Sequence, residues 1–374
     1  MTTGFSPPPY PYDRLAPLQA VAAAMPGGIV DLSVGTPYDA PPDWLADALG
    51  DPAAARSYPP SAGTLVYRTA AARWLARRFD VEVDVGSIAA CIGSKELVAG
   101  LPQWLRLRTP DRDTVLYPAI SYPTYAMGAT LARCRAVPVP VDAAWRLRLD
   151  AIDPADAARA LCLWVNTPGN PAGGLDDLGA AASWGRNHGV PVLSDECYAE
   201  FTWSGPARSI LQHGSDGVLA VHSLSKRSNL AGARVGFYAG DGDLVHYLSE
   251  VRKHAGFMVA GPVQAAAARA WDDDAHVEVQ RSLYLERLRA LVDGLRSVGL
   301  DAVLPDGAFY LWVPAPAGDA WALANRLAEE GGVLVSPGEF YGPAGSGHVR
   351  IAAVQPLARI ALAVERLAAA AGAR

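Results

Sequence analysis

"HSLSKRSNLAGAR", residues 222–234, decides how this chain is read. Only three lysines occur in 374 residues: Lys95, Lys226 and Lys253. Lys226 follows the apolar run "GVLAV", with Ser223 and Ser225 before it and Arg234 after it. A lysine at the lip of a buried strand loses solvation and becomes an amine nucleophile able to condense with an aldehyde. The ordinary alternative is a solvated surface lysine. Ser223-Leu224-Ser225-Lys226 also fits the S-x-x-K of serine acyl enzymes. That signature needs a K-T-G, and the other two lysines stand in "SKEL" and "RKHA".

Around this stretch the chain alternates short apolar runs with helical patterns. "SIAACIG", "TVLYP", "ALCLWVN", "VPVLSDE" and "GVLAVHSLS" read as strands that end in polar or turn residues. Helices are expected at 64–79, with Leu65, Trp74, Leu75 and Phe79 as apolar anchors, and at 94–106 and 174–188. This βαβα rhythm predicts a parallel sheet covered by helices on both faces. Beyond about residue 260 the texture changes. A long helical pattern at 262–298 leads to "DAVLPDGAFYLWVP", read as a hairpin-like strand pair, and to a final helix at about 356–372. The expected division is an N-terminal arm with part of a small domain at 1–45, a large domain at 46–265, and a small α+β domain at 266–374.

The composition supports two packed domains: 51% of residues are hydrophobic and 19% charged. A net charge of −6 argues against nucleic acid as a partner. "MTTGFSPPPYPYDRL" carries no secretory signal, and no run of 18 apolar residues suggests a membrane span, so a cytoplasmic location is expected. Cys91, Cys134, Cys162 and Cys197 read as small core residues, and the isolated histidines predict no metal site.

In an open α/β sheet, ligands sit beyond the carboxyl ends of the strands. The residues there are Gly93, Ser94, Tyr122, Asn166, Asn170, Asp195, Tyr198, Ser223 and Lys226. Asp195 could pair with a protonated ring nitrogen, or cap a helix. Tyr198 could bond a phenolic oxygen. Asn170, in "NTPGNPAGG", could do the same or hold its loop. Gly93-Ser94 opens a helix and could cradle a phosphate with Ser223, Ser225 and Arg234. Tyr122 and Tyr125 offer an aromatic face. Arg350, in the apolar run "GHVRIAAV", needs an anionic partner, supplied by protein or substrate. Together these groups match pyridoxal phosphate feature by feature: aldehyde, ring nitrogen, phenolic oxygen, ring face and phosphate.

At this point the chain resembles the fold-type I, class I/II aminotransferases over nearly its whole length. The order Gly93-Ser94, Tyr122, Asn170-Pro171, Asp195-x-x-Tyr198, Ser223-x-Ser225-Lys226, Arg234, Arg350 is that family's order, and the K-x7-R spacing is specific. The resemblance implies a large domain with a mostly parallel seven-stranded sheet and a smaller α+β domain. It implies that Lys226 holds the cofactor as a Schiff base and then shuttles a proton. It implies that Asp195 keeps the ring nitrogen protonated, that Tyr198 and Asn170 bond the phenolic oxygen, and that Tyr122 stacks on the ring. The backbone at Gly93, Ser94 and Lys95, with Ser223, Ser225 and Arg234, would hold the phosphate. Gly35 and Arg350 would meet the substrate. Tyr58 would reach a neighbouring subunit's phosphate, which implies a homodimer.

"GIVDLSVGTP", "GSKELV", "SDECY", "VHSLSKRSNLAGAR" and "RKHAG" look like the actinobacterial N-succinyldiaminopimelate aminotransferases. That likeness implies amino transfer between glutamate and N-succinyl-2-amino-6-oxopimelate, in lysine biosynthesis through diaminopimelate. The alternatives are a related aminotransferase with another amino acid or natural-product substrate, and a pyridoxal-phosphate carbon–sulfur lyase. Two positions depart from the family pattern: Ala172 stands for the usual threonine of Asn-Pro-Thr-Gly, and Tyr67 precedes Arg68 where a leucine is usual. Arg14 and Arg68 are candidates for a distal carboxylate by charge alone, against an ordinary surface role.

Overall fold

The computed structural model describes residues 4–373. The chain divides into two compact units. The larger holds Thr36–Glu286 with Pro305–Tyr310; the smaller holds the described residues up to Gly35, Arg287–Leu304, and those from Leu311 on.

The larger unit is built on the expected seven-stranded, mostly parallel sheet. Its strands lie in the order Ile88–Cys91, Gly236–Gly240, Val218–Ser223, Val192–Asp195, Ala160–Asn166, Thr114–Pro118, Arg135–Val139. Gly236–Gly240 alone runs against its two neighbours. The apolar runs follow from burial on both faces, since a parallel strand covered twice cannot alternate polar and apolar residues. All seven residues of Ala160–Asn166 are buried. Leu163 and Val165 pack on one face, with Trp74, Leu75 and Trp271. Leu161 and Trp164 pack on the other, with Leu101, Trp104 and Tyr125.

The helix Leu65–Phe79 starts where Thr64 accepts the Tyr67 N–H at 3.2 Å, and it ends at left-handed Asp80. Its buried stripe is Tyr67, Ala70, Ala71, Trp74, Leu75 and Phe79. Leu65 is not one of its anchors: it is 65% exposed. It precedes Tyr67 by two residues, roughly 200° around the helix at 3.6 residues per turn. Tyr67, the departure from the usual leucine, donates its hydroxyl to the Gly236 carbonyl at 2.8 Å and so ties the helix to the sheet.

Three other expectations shift. The helix foreseen at 174–188 spans Leu178–His188, because Asp177 caps it by accepting the Ala180 N–H at 2.9 Å. The long pattern at 262–298 breaks into Gly261–Asp272 and Ala275–Ser297, with Asp273 extended between them. The stretch 301–314 is not a hairpin. Gly307 instead bridges Thr202, and the Trp203 N–H donates to the Asp306 carbonyl at 2.8 Å. Only Tyr310–Pro314 is a strand there.

A three-stranded sheet has the order Ser336–Pro337, His348–Ala352, Tyr310–Pro314, all of it but Tyr310 in the smaller unit. Val30–Asp31 pairs in parallel with Val333–Leu334. The helices Ala320–Gly331 and Leu357–Gly372 belong to this unit. No helix among the described residues is long and apolar enough to cross a membrane. The four cysteines are free thiols.

Candidate active site

Register brings the strand ends of the larger unit to one edge. Asn166 pairs with Asp195, Ser223 with Gly236, and Gly236 with Cys91. The loops that leave this edge carry Gly93, Asn170, Tyr198, Lys226 and Arg234.

Asp195 ends its strand 7% exposed. Its Oδ2 accepts the Tyr125 hydroxyl at 2.9 Å and its Oδ1 the Cys197 N–H at 3.2 Å. Burial pushes the Asp195 carboxyl above its usual range, and the bonds from Cys197 and Tyr125 oppose that shift. Asn166 links this position to the next loop. Its Nδ2 donates to the Asp195 carbonyl at 2.9 Å, and its Oδ1 accepts the Asn170 N–H at 2.8 Å. Tyr198, also buried, shares a 2.8 Å hydroxyl–hydroxyl bond with Tyr310.

Lys226 is half-buried on the single turn Leu224–Arg227, which Ser223 caps by accepting the Ser225 N–H at 3.1 Å. The two serine hydroxyls bond each other at 3.0 Å. The next residue, Arg227, is buried over Trp74 and Trp271. It pairs with Glu200 at 3.0 Å and Asp274 at 3.1 Å, and it donates to the Ala270 carbonyl at 2.5 Å. The turn that carries the lysine is thereby pinned from below. Sequence reading assigned nothing to Arg227; a buried arginine beside a scarce lysine shows its role only once its acidic partners are known.

Gly93 precedes the helix Ser94–Arg108 at φ 74°, and no side chain caps that N-terminus. A Cβ at Gly93 would collide with the Arg234 guanidinium. Arg234 is itself left-handed at φ 54° and donates to the Ala231 carbonyl at 2.8 Å. Helix N–H groups, two serine hydroxyls and a guanidinium form a donor set suited to a dianion. Lys95 lies 5.8 Å from the centre of the Tyr122 ring.

Five further candidates remain. Gly35 and Arg350 belong to the smaller unit. There Arg350 is 2% exposed, donates to the Ser33 carbonyl at 2.5 Å and lies 4.8 Å from the centre of the Tyr341 ring. Tyr58 is 95% exposed. Arg68 is committed to the carbonyls of Gly63 and Val85, at 3.2 and 2.8 Å. Arg14 pairs with Glu339 at 2.7 Å on the surface.

Residues 27–367 match the family of class I and II aminotransferases. The chain belongs to that family. This aminotransferase is 43% identical over 369 residues to the Streptomyces rimosus 4-dedimethylamino-4-oxo-anhydrotetracycline transaminase OxyQ, covering 96% of this chain and 99% of that one. It is also 43% identical to the probable aminotransferase Rv1178 of Mycobacterium tuberculosis, over 96% of this chain and 85% of that one. Among solved structures, a probable N-succinyldiaminopimelate aminotransferase of Thermus thermophilus superposes with a TM-score of 0.87. It is 31% identical and covers 96% of this chain and 99% of that one.

The cofactor of this aminotransferase is pyridoxal phosphate, and the larger unit fits it. The space a Cβ would take at Gly93 faces a guanidinium, as phosphate binding requires. The buried Asp195 carboxyl, pushed up by desolvation, is the partner a cationic ring N–H satisfies.

Proposed function

We propose that this aminotransferase moves an amino group between L-glutamate and N-succinyl-2-amino-6-oxopimelate in a ping-pong sequence. Pyridoxal phosphate supplies an aldehyde and an electron-withdrawing ring that stabilise negative charge at the amino acid's α-carbon. Lys226 anchors the cofactor through its ε-amine and then carries the proton to and from that carbon. Asp195 holds the ring nitrogen protonated. Tyr198 and Asn170 donate to the phenolic oxygen, and Tyr122 lies on the ring face. The turn at Gly93, Ser94 and Lys95, with Ser223, Ser225 and Arg234, grips the phosphate. Gly35 and Arg350 meet the substrate, and the guanidinium binds its α-carboxylate bidentately.

The observation that carries these roles is the shared strand edge, with a buried acid at Asp195 and a phosphate-shaped donor set at Gly93 and Arg234. The acceptor rests on the full-length likeness to the Thermus thermophilus protein. The enzyme acts as a homodimer in which Tyr58 of the partner subunit meets the phosphate. The exposure of Tyr58, Leu65 and Val66, at 95%, 65% and 68%, supports this, since a second copy would cover them.

A second reading has its own support. The 43% identity to OxyQ, whose substrate is a tetracycline intermediate, favours a ketone of natural-product origin. Single-turnover transfer separates the two. The protein is loaded with glutamate and offered the succinylated oxo acid, simple 2-oxo acids and polycyclic ketones. The first reading expects the succinyl compound to react fastest and Lys226→Ala to lose on the order of 10³-fold in rate. A succinyl compound no better than simple oxo acids sinks it.

A further inference from the structure

We propose that Asp176 is a positioning residue whose carboxylate holds the loop carrying Asn170 in register with the strand end at Asn166; this rests on the role given to Asn170 above. The loop is closed on itself. The Gly169 N–H donates to the Gly174 carbonyl at 2.9 Å, and the Gly173 N–H to the Gly169 carbonyl at 2.7 Å. Asp176 stands at its exit. Its own N–H donates to the Thr167 hydroxyl at 2.6 Å, at the loop's entrance, and the Thr167 N–H donates to the Asp195 carbonyl at 3.2 Å. On the other side, Oδ1 of Asp176 accepts the Leu147 N–H at 2.7 Å. Leu147 bridges Val141 and so closes the turn between them. The loop packs directly on that turn, since a Cβ at Gly174 would stand 2.7 Å from the Ala144 carbonyl oxygen. Asp176 thus joins entrance, exit and supporting turn, all within the larger unit.

The charges around Asp176 nearly cancel. Arg146 pairs with Asp142 at 2.8 Å and Arg148 with Asp150 at 2.7 Å. Asp177 and Arg208, one of each sign, are the other charged groups around the cavities that Asp176 lines. Desolvation therefore decides, and it raises the Asp176 pKa to about 6. The backbone N–H groups of Leu147 and Asn166 oppose that shift, so they bind the charged carboxyl more strongly than the neutral one. Ionised at neutral pH, the side chain is a net cost to stability. What its charge supplies is a fixed place for the loop.

The experiment compares Asp176→Asn with the wild type at about pH 8 and about pH 5. Asparagine keeps an oxygen for the Leu147 N–H but carries no charge. In the cofactor-free chain, amide exchange of peptides spanning 141–148 and 166–177 should quicken about threefold or more at the higher pH. At the lower pH it should match the wild type, where Asp176 is itself protonated. In the protein loaded with pyridoxal phosphate, a looser Asn170 favours the deprotonated phenolic oxygen less. The pH at which the visible band changes should therefore rise by about half a unit. The same variant should lose about fivefold in kcat/KM at pH 8 and less than about twofold at pH 5. Asp177→Asn, which removes the neighbouring charge and keeps a good helix cap, should change none of these. Exchange and band unmoved in Asp176→Asn at pH 8, or a rate deficit equal at both pH values, overturns the proposal. A visible band unmoved in Asn170→Ala refutes instead the role given to Asn170, while exchange in the cofactor-free chain still reports on the tie itself.

Discussion

The Tyr125 hydroxyl donates to Oδ2 of Asp195 at 2.9 Å, and that tyrosine is fully buried against Trp164. A hydrogen bond to an ionised carboxylate contributes about 1.5–3 kcal/mol. Tyr125→Phe removes it and leaves Asp195 easier to protonate, since the bond is one of the forces that lower its pKa. We expect kcat/KM to fall about tenfold or more, with weaker cofactor retention, and Lys226 still labelled by borohydride reduction. Steady-state rates and equilibrium dialysis check this; an unchanged rate would mean that the Cys197 N–H alone keeps Asp195 ionised.

Arg227 makes the second prediction. Burial pushes Glu200 up, but the guanidiniums of Arg227 and Arg78 outweigh it and hold the carboxyl below its ordinary range. Arg227→Ala removes the buried cation and its cover over two indoles. Breaking a buried pair from one side costs about 3–5 kcal/mol. Urea unfolding of the cofactor-free chain should show that loss, while Arg77→Ala, whose side chain is 37% exposed, should cost far less.

Asp176 gives a prediction in pH. It accepts the Leu147 N–H at 2.7 Å, and burial raises its pKa to about 6. An acid whose folded pKa lies above its unfolded value binds its proton more tightly when folded. Its ionisation penalty is therefore absent below about pH 4, grows between about pH 4 and 6, and levels off above that. Asp176→Asn should match the wild type near pH 4 and become more stable than it by about 1–3 kcal/mol by pH 7–8. Unfolding curves across that range decide it; a constant difference at every pH would contradict the burial argument.

Much of this site can be read from sequence because it sits at strand ends, where an apolar run stops at a polar residue. Asp195, Ser223 and Asn166 each close such a run, so their positions follow from hydrophobic pattern and sheet geometry alone. The supporting residues are different. Tyr125 reaches an acid seventy positions away, Tyr198 finds its partner at Tyr310, and Arg227 finds Glu200 and Asp274. Such pairings depend on which elements become neighbours, and local spacing does not record that. The misread stretch at 301–314 has the same cause. Its strand-like composition is genuine, but Gly307 pairs with Thr202 rather than with its own downstream residues. Leu65 misled because an apolar side chain on the far side of an amphipathic helix looks the same in sequence as one on the near side.

The one reversed strand of the seven-stranded sheet, Gly236–Gly240, fixes how the stretch carrying Lys226 and Arg234 is held. A parallel successor would require the connection to cross back over the sheet and begin its strand at the opposite rim. Because this strand starts where Val218–Ser223 stops, residues 224–235 form a tether fastened at both ends to the same rim. The interval between Lys226 and Arg234 is then a length of thread rather than a helical period. Lengthening or shortening it would leave the sheet intact and change only how far the arginine can reach.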